Sequence, residues 1–400
     1  MATLISFYVI SQFLRNSVGV IAPDLAADLA LSPADIGWLS SVFFFSFALV
    51  QIPLGVALDR FGAKRCLLVG GAVTVVGALT FATATVPGVL VLGRALLGLG
   101  VSGALVAALT IYARRFAPQR FATLAGVHVG IGTFGTLLAT APLAFSAATI
   151  GWRNSFLLVA GITLLIGALI ALVVEDNVAS EGPRETLRES LRGIPAVLRA
   201  RSMGCLLVMN LVLYSSFALI VGLWGGPYLT HVYGYDLEQR GSFLVIPVLT
   251  QMLGLVAWGP MDRVMGSHKL PVLLGASGTA LALGFLGFVG SLPVPGLIVW
   301  FAIFGFMAGF GPVLMAHGKA VLPPHQVGRG LTILNSSSIG GTFLVQMLSG
   351  LVIAQFPTTH AGGYALDAYR LVFALQAGFI LLTSLVYLWA DEPGPVGCKG

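Results

Sequence analysis

Leu4-Ile5-Ser6-Phe7-Tyr8-Val9-Ile10-Ser11-Gln12-Phe13-Leu14-Arg15-Asn16-Ser17-Val18-Gly19-Val20-Ile21 is the stretch on which the fold turns. It is long enough to cross a bilayer as a helix, which takes about 20 apolar residues. One cation, Arg15, interrupts it near the middle. A charge at that depth costs about 2.5–3.5 kcal/mol on insertion scales, so such a side chain rarely faces lipid. It needs a partner or a watery cavity. The stretch therefore predicts a membrane-spanning chain with a polar path through it that favours anions. Tyr8, Gln12, Arg15, Asn16 and Gly19 share one stripe at helical spacing, as a cavity-lining helix should.

Composition points the same way. The 400 residues are 57% hydrophobic and 9% charged, with a mean hydropathy of +0.95. A soluble globular chain carries about 25% charged residues. The 51 glycines suit close helix–helix contact in a membrane. The first apolar run passes into Pro23-Asp24 with no small-residue cleavage site, which argues against a secretory precursor. The net charge of +6 is spread over short loops and reads as topology, not as nucleic-acid affinity. Cys66, Cys205 and Cys398 are too scattered for a metal site. There is no phosphate-binding Gly-Lys-Ser/Thr loop and no His-rich cluster, so no enzyme, cofactor or metal is expected.

Twelve apolar segments can be drawn, at about 3–23, 35–57, 65–86, 88–112, 121–145, 153–174, 203–226, 241–260, 270–290, 295–317, 331–354 and 369–390. The expected fold is an all-α membrane protein of twelve transmembrane helices in two pseudo-symmetric six-helix bundles. Residues 1–174 form the first bundle, 175–202 a cytoplasmic linker and 203–400 the second bundle. Arg184, Glu185, Arg188, Glu189 and Arg192 give the linker the spacing of an exposed, ion-paired helix. Alternate loops hold Arg60, Lys64 and Arg65, then Arg114, Arg115 and Arg120, then the linker, then Arg263 and Lys269, then Arg329. The opposite loops hold Asp24, Asp28, Asp35, Asp236, Glu238 and Asp367. Positive charge marks the cytoplasmic side, which predicts a plasma-membrane protein, of a bacterial inner-membrane kind, with both termini inside.

The halves repeat. Gly55-Val56-Ala57-Leu58-Asp59-Arg60-Phe61-Gly62-Ala63-Lys64-Arg65 follows the second segment, and Gly259-Pro260-Met261-Asp262-Arg263-Val264-Met265-Gly266-Ser267-His268-Lys269 follows the eighth. Internal repeats of this kind mark transporters with a substrate site between the halves. The first loop resembles the loop 2–3 signature of the major facilitator superfamily. Leu92-Gly93-Arg94-Ala95-Leu96-Leu97-Gly98-Leu99-Gly100 resembles that family's fourth-span motif, and Gly151-Trp152-Arg153-Asn154-Ser155-Phe156 its entry to the sixth span. The resemblance covers the whole chain. It implies two bundles working by alternating access, with Asp59, Arg60, Lys64 and Arg65, and by repetition Asp262 and Arg263, as a gate latch. A purely topogenic basic loop is the simpler alternative. The Gly-Pro pair that proton–drug antiporters of the family usually carry in span 5 is absent from Gly126–Gly135, which counts against a drug exporter.

Phe13-Leu14-Arg15-Asn16 resembles the sequence around the phosphate-binding arginine of organophosphate carriers in this family. Their partner arginine in span 7 has no counterpart between Met203 and Gly226. One cation suits a monocarboxylate better than a divalent phosphate. The candidate substrate-binding set is Tyr8, Gln12, Arg15, Asn16, Asn210, Tyr214, Gln251, Asn335 and Gln346; Ser338 and Thr342 extend the last stripe. For the neutral groups of the second half the alternative is interhelical hydrogen bonding, worth about 0.6 kcal/mol per bond in a membrane; for Arg15 it is internal pairing with a backbone carbonyl or a tyrosine that only fixes the helix. No Asp or Glu lies deep in any segment, so His128 and His317 are the titratable candidates for proton coupling. For Arg94 the resemblance implies a role in proton coupling or in packing against the first segment. Trp224, Tyr228 and Tyr233 read as an interfacial belt or an outer gate.

The expected function is secondary transport of a small organic anion, coupled to protons or to exchange. Efflux of drugs or of a metallophore-like molecule, through a cavity walled by Phe43, Phe44, Phe45 and Phe47, is the second reading. A transport-inactive membrane sensor is the third. The expected partners are the bilayer, one small-molecule substrate and protons, with a monomeric chain and no nucleic acid.

Overall fold

The computed structural model describes residues 1–175, 195, 198, 199, 202–322, 327–358 and 363–392. The charged linker stripe from Arg184 to Arg192 lies outside the described residues, as do Cys398 and the side chains of Asp59, Arg114 and Arg329. Among the described residues, eleven helices are long and apolar enough to cross a membrane, and a twelfth apolar helix is shorter. In chain order they are α1 Ala2–Leu29, α2 Pro33–Gln51 (helical on to Phe61), α3 Ala63–Ala82, α4 Pro87–Ala113, α5 Thr123–Leu138, α6 Ala141–Val173, α7 Met203–Tyr233, α8 Leu237–Trp258, α9 Lys269–Val289, α10 Val294–Val321, α11 Gly330–Ile353 and α12 Leu366–Tyr387. An all-helical solution is what lipid demands, because a helix satisfies its own backbone groups.

Local sequence sets the boundaries. Ser32 caps α2 with a reciprocal Ser32–Asp35 capping box, and Pro33 opens the helix. Asp236 and Gln239 do the same for α8. Both boxes satisfy amide groups that a helix start leaves orphaned. The chain reverses inside α6 at Gly151, whose φ of +82° suits glycine. The residues from Ala141 to Gly151 complete the crossing begun by α5, and Trp152 starts the next. The tryptophan indole and the Arg153 guanidinium both bond the Asp28 carboxylate at the end of α1. Arg153 also donates to the Ala84 carbonyl at 3.0 Å and stacks over Trp152. The Gly-Trp-Arg sequence thus ties α6 to the ends of α1 and α3.

With twelve crossings both termini lie at one end, here the linker end. The contacts found between the two halves lie from the middle of the membrane to the other, far end. A Cβ on Gly37 would come within 2.8 Å of the Gly350 Cα, so α2 and α11 touch backbone to backbone. Trp38 and Phe45 both pack on Phe343 of α11. In α1, Pro23 has no N–H to give the Gly19 carbonyl. Gly226 of α7 packs on that carbonyl, and Gly19 in turn lies against the Val221 carbonyl. Residues Ile220–Trp224 form a π-helical turn at this crossing. Arg240 of α8, almost fully buried, closes the far end by pairing with Asp24 of α1, and donates to the Thr230 hydroxyl at 2.8 Å.

Trp224 and Tyr228 depart from the belt reading. They are 0% and 1% exposed, held by Ser349 and by the Gly290 carbonyl at 2.7 Å each. They are far-end core, because α7 runs between the halves and not along the lipid.

Gly226→Val drives a side chain into the Gly19 carbonyl. It should destabilise the protein by about 1–3 kcal/mol, the usual cost of overpacking. A thermal melt in detergent checks this; an unchanged melt would show that α1 and α7 do not meet so closely.

Candidate functional site

The middle of α1 carries the candidate site. Asn16 is 1% exposed. Its amide donates to the Tyr214 hydroxyl at 3.0 Å, to the Thr136 hydroxyl at 3.4 Å and to the Gln12 carbonyl at 3.2 Å. Tyr214 returns a bond to the Asn16 amide oxygen at 3.2 Å. This exchange joins α1 of the first half to α7 of the second. A Cβ on Gly222 would stand 3.3 Å from the Asn16 amide oxygen and 3.6 Å from the Gln346 amide nitrogen, so α11 reaches the same place. Gln346 donates to the Ala218 carbonyl at 3.2 Å.

Arg15 is half-buried beside this cluster. Its guanidinium lies 4.4 Å from the centre of the Phe47 ring, a cation–π contact. Its Nε is buried with no hydrogen-bond partner, and among the described residues no carboxylate pairs with it. Two amide oxygens on the helices that meet here, those of Gln12 and Gln346, are also buried without a donor; that of Asn210, a turn before Tyr214 on α7, is buried without one too. Buried polar groups usually find partners. A cation and several acceptors left unpaired around one helix crossing are groups that a bound polar molecule or water would satisfy.

Arg94 is fully buried in α4. It donates to the Leu14 carbonyl at 2.6 Å, and at 3.4 Å to the Ser17 hydroxyl and the Arg15 carbonyl. Its guanidinium lies 4.5 Å from the centre of the Phe43 ring. The forked guanidinium spans successive carbonyls of α1, which a compact ammonium could not do. Phe43 and Phe47 therefore sit under arginines, and Phe43, Phe44 and Phe47 are nearly fully buried. Phe45 is exposed and packs on α11.

His128 of α5 is 0% exposed. Its Nδ1 is 3.0 Å from the Tyr112 hydroxyl, its ring stacks on Tyr8 at 5.1 Å, and its Nε2 has no partner. Tyr8 thus joins His128 to the polar stripe of α1. His317 sits elsewhere, at the linker end of the second half. Its Nδ1 is 2.5 Å from the Tyr387 hydroxyl, its Nε2 is 2.9 Å from the Asp391 carbonyl, and its ring stacks on His268. Asp262 is buried there, 3.4 Å from the His268 Nδ1, and accepts the Arg263 amide. Arg263 is exposed.

The remaining candidates are not gathered at the crossing. Gln251 is half-buried on the same stripe of α8 as Pro247 and Gly254, which lies against α10. Asn335 is exposed on α11. Arg60 is exposed and stacks on Phe61; Lys64 is half-buried and Arg65 exposed. The latch partner Asp59 lies outside the described side chains.

Sequence reading missed several groups. Gln376 of α12 donates to the Ser216 and Ser215 hydroxyls of α7 at 2.9 and 3.4 Å. Thr136 of α5 joins Asn16. Buried polar residues in apolar helices were the available signal, but helix-to-helix partners are tertiary facts. Asp24–Arg240 and Asp28–Arg153 pair acids of the loops opposite the basic ones with arginines at the starts of α8 and of the second part of α6.

The Arg94 bonds generate a test. Arg94→Met removes a buried cation together with its costly desolvation, so it should melt near the wild type. Arg94→Lys keeps the charge without the fork and should lose about 1–3 kcal/mol, the cost of a buried group short of its bonds. A lysine variant at least as stable as the methionine variant would overturn the assignment.

Comparison with known proteins follows this geometry. The hexuronate transporter of Bacillus subtilis (strain 168) is 26% identical over 396 residues, 92% of this chain and 90% of that protein. Monocarboxylate transporter 11 of Mus musculus is 31% identical, over 96% of this chain and 79% of its own length. The aspyridones efflux protein of Neocamarosporium betae is 28% identical, over 87% of this chain and 60% of its own. Among solved structures, a bacterial homologue of the human lysosomal transporter Spinster superposes with a TM-score of 0.77 at 17% identity, covering 96% of this chain and 95% of the other. The pattern described as Major Facilitator Superfamily matches residues 4–256 and 206–400. With both halves matched and the relatives aligned across nearly the whole chain, this protein belongs to the Major Facilitator Superfamily of membrane transporters.

Proposed function

We propose that the transported molecule is a small organic anion carrying one carboxylate, bound at Arg15 where α1, α7 and α11 meet. The observation that carries this is the half-buried Arg15, a membrane-depth cation with no carboxylate partner among the described residues. Gln12, Asn16, Tyr214 and Gln346 supply polar groups around it, and Tyr8 forms the wall toward His128. Asn210, Asn335 and Gln251 remain candidates for contacts made as the halves move. The names of two relatives, a hexuronate and a monocarboxylate transporter, are those of organic-acid carriers and support the reading.

The site lies between halves that close on each other at the far end, which suits alternating access. Closing one end brings together Gly37 with Gly350 and Asp24 with Arg240. The Asp59 and Asp262 loops would latch the opposite end in the other state. With both termini and the basic loops cytoplasmic, the present closure is on the outside. The membrane potential opposes anion entry by about 2.3 kcal/mol per charge per 100 mV. Uptake therefore requires a co-transported cation or a counter-anion. His128, with one nitrogen on Tyr112 and the other unpartnered, is the proposed proton carrier. Arg94, bonded through its two terminal nitrogens, and His317, bonded through both ring nitrogens, would transmit the change as helix positions.

A thermal-shift screen tests the substrate class. Carboxylates, phosphates, amino acids and amphipathic drugs are each added to the wild type and to Arg15→Gln in detergent. A bound ligand at about 100 times its Kd stabilises by about 2.7 kcal/mol. A monocarboxylate is expected to raise the melting temperature of the wild type and not of the variant. Stabilisation by apolar cations alone, equal in both proteins, would replace the anion reading with the efflux one.

A further inference from the structure

A groove of about 460 Å³ runs down the outer face of the first half, between α2, α3 and α4. Its walls are apolar, with Leu54, Phe61 and Val69 among them. Its floor is made shallow by glycine: a Cβ on Gly70 would come within 2.5 Å of the Gly100 carbonyl, so α3 and α4 lie almost in backbone contact. A Cβ on Gly103 would meet Leu54 at 3.4 Å. Along α2 the lining runs from Val50 to Phe61, a rise of about 16 Å. That matches one leaflet of a hydrocarbon core about 30 Å thick. Arg65 lines the groove at the linker-end mouth, with Lys64 beside it in sequence and Arg60 stacked on Phe61.

We propose that this groove is a binding site for one anionic phospholipid, an acyl chain lying along α2 and the phosphate on the loop cations. Charge complementarity selects the occupant. A second outer groove, of about 590 Å³ between α7, α11 and α12, is similarly apolar but has no lysine or arginine in its lining. A lipid held only by its tail would treat the two alike; a lipid held by its headgroup prefers the first. The basic loops lie on the side expected to face the anionic cytoplasmic leaflet, where each surface cation adds about 1 kcal/mol to the attraction. The bound lipid would brace the Gly55–Arg65 loop against α4, the helix whose Arg94 positions α1.

Cys66 lines the groove and supplies the readout. In a Cys205→Ser, Cys398→Ser background, the rate of Cys66 alkylation by N-ethylmaleimide is followed in mixed micelles. Phosphatidylglycerol should slow alkylation, and phosphatidylcholine at equal mole fraction should slow it far less. Glycerol phosphate should leave it unchanged. Arg65→Gln should weaken phosphatidylglycerol protection about fivefold, the loss of one surface cation. Ala57→Phe, which fills the groove, should lose the phosphatidylglycerol adduct in native mass spectrometry while eluting as a monodisperse peak. Equal protection by the two lipids would reduce the groove to unselective solvation by bilayer. Protection by glycerol phosphate alone would leave only an anion on the arginine. Unchanged retention of lipid in both variants would overturn the site.

Discussion

A guanidinium in a hydrocarbon layer needs hydrogen-bonding partners, and Arg94 takes them from the helix that carries the candidate site. Its partners are the carbonyls of Leu14 and Arg15, and it also lies on the Phe43 ring. Those carbonyls already serve the α1 ladder and use their second lone pair for the arginine. The bonds set the rotation and height of α1 against α4. That rotation decides which α1 side chains reach the centre of the molecule. Arg15, whose own carbonyl is one of the acceptors, is turned to Phe47 and has no carboxylate partner among the described residues.

The same helix forms much of the contact between the halves. Its Pro23 frees the Gly19 carbonyl, and Gly226 of α7 packs on it. Without side chains on either glycine, the backbones meet at a distance that only small residues allow. The π turn at Ile220–Trp224 lies in the facing helix. An extra residue in a helical turn shifts the register of everything beyond it, and such turns recur at functional sites. The contact is made largely by backbone, with no side chain on either glycine between the helices.

Electrostatics at the far end completes the closure. Asp24–Arg240 crosses between halves, whereas Asp28–Arg153 stays within the first. Two pairs of like composition thus do different things. One ties parts of a single bundle together, and the other ties the two halves and would have to break for the far end to open. Arg240 is nearly buried, so opening also returns a charge to water, which offsets part of the lost attraction.

Twelve crossings, two halves and the charge asymmetry of the loops are legible in the chain, because lipid imposes a minimum apolar length and a cost on every charge. The α1 stripe of Tyr8, Gln12, Arg15 and Asn16 is legible for the same reason, since helical period alone places those residues on one face. What that face meets is not. Asn16 on Tyr214, Arg94 on α1 carbonyls, Gln376 on Ser216 and the burial of Trp224 all join residues far apart in sequence. Small residues pack equally well in many registers, and a polar side chain in a membrane accepts any nearby donor or acceptor. The sequence by itself determined that the chain spans the membrane twelve times with a cation at its heart. Only the tertiary structure decided which of its arginines is spent on packing and which stays unpaired, because that depends on which helix comes within bonding distance.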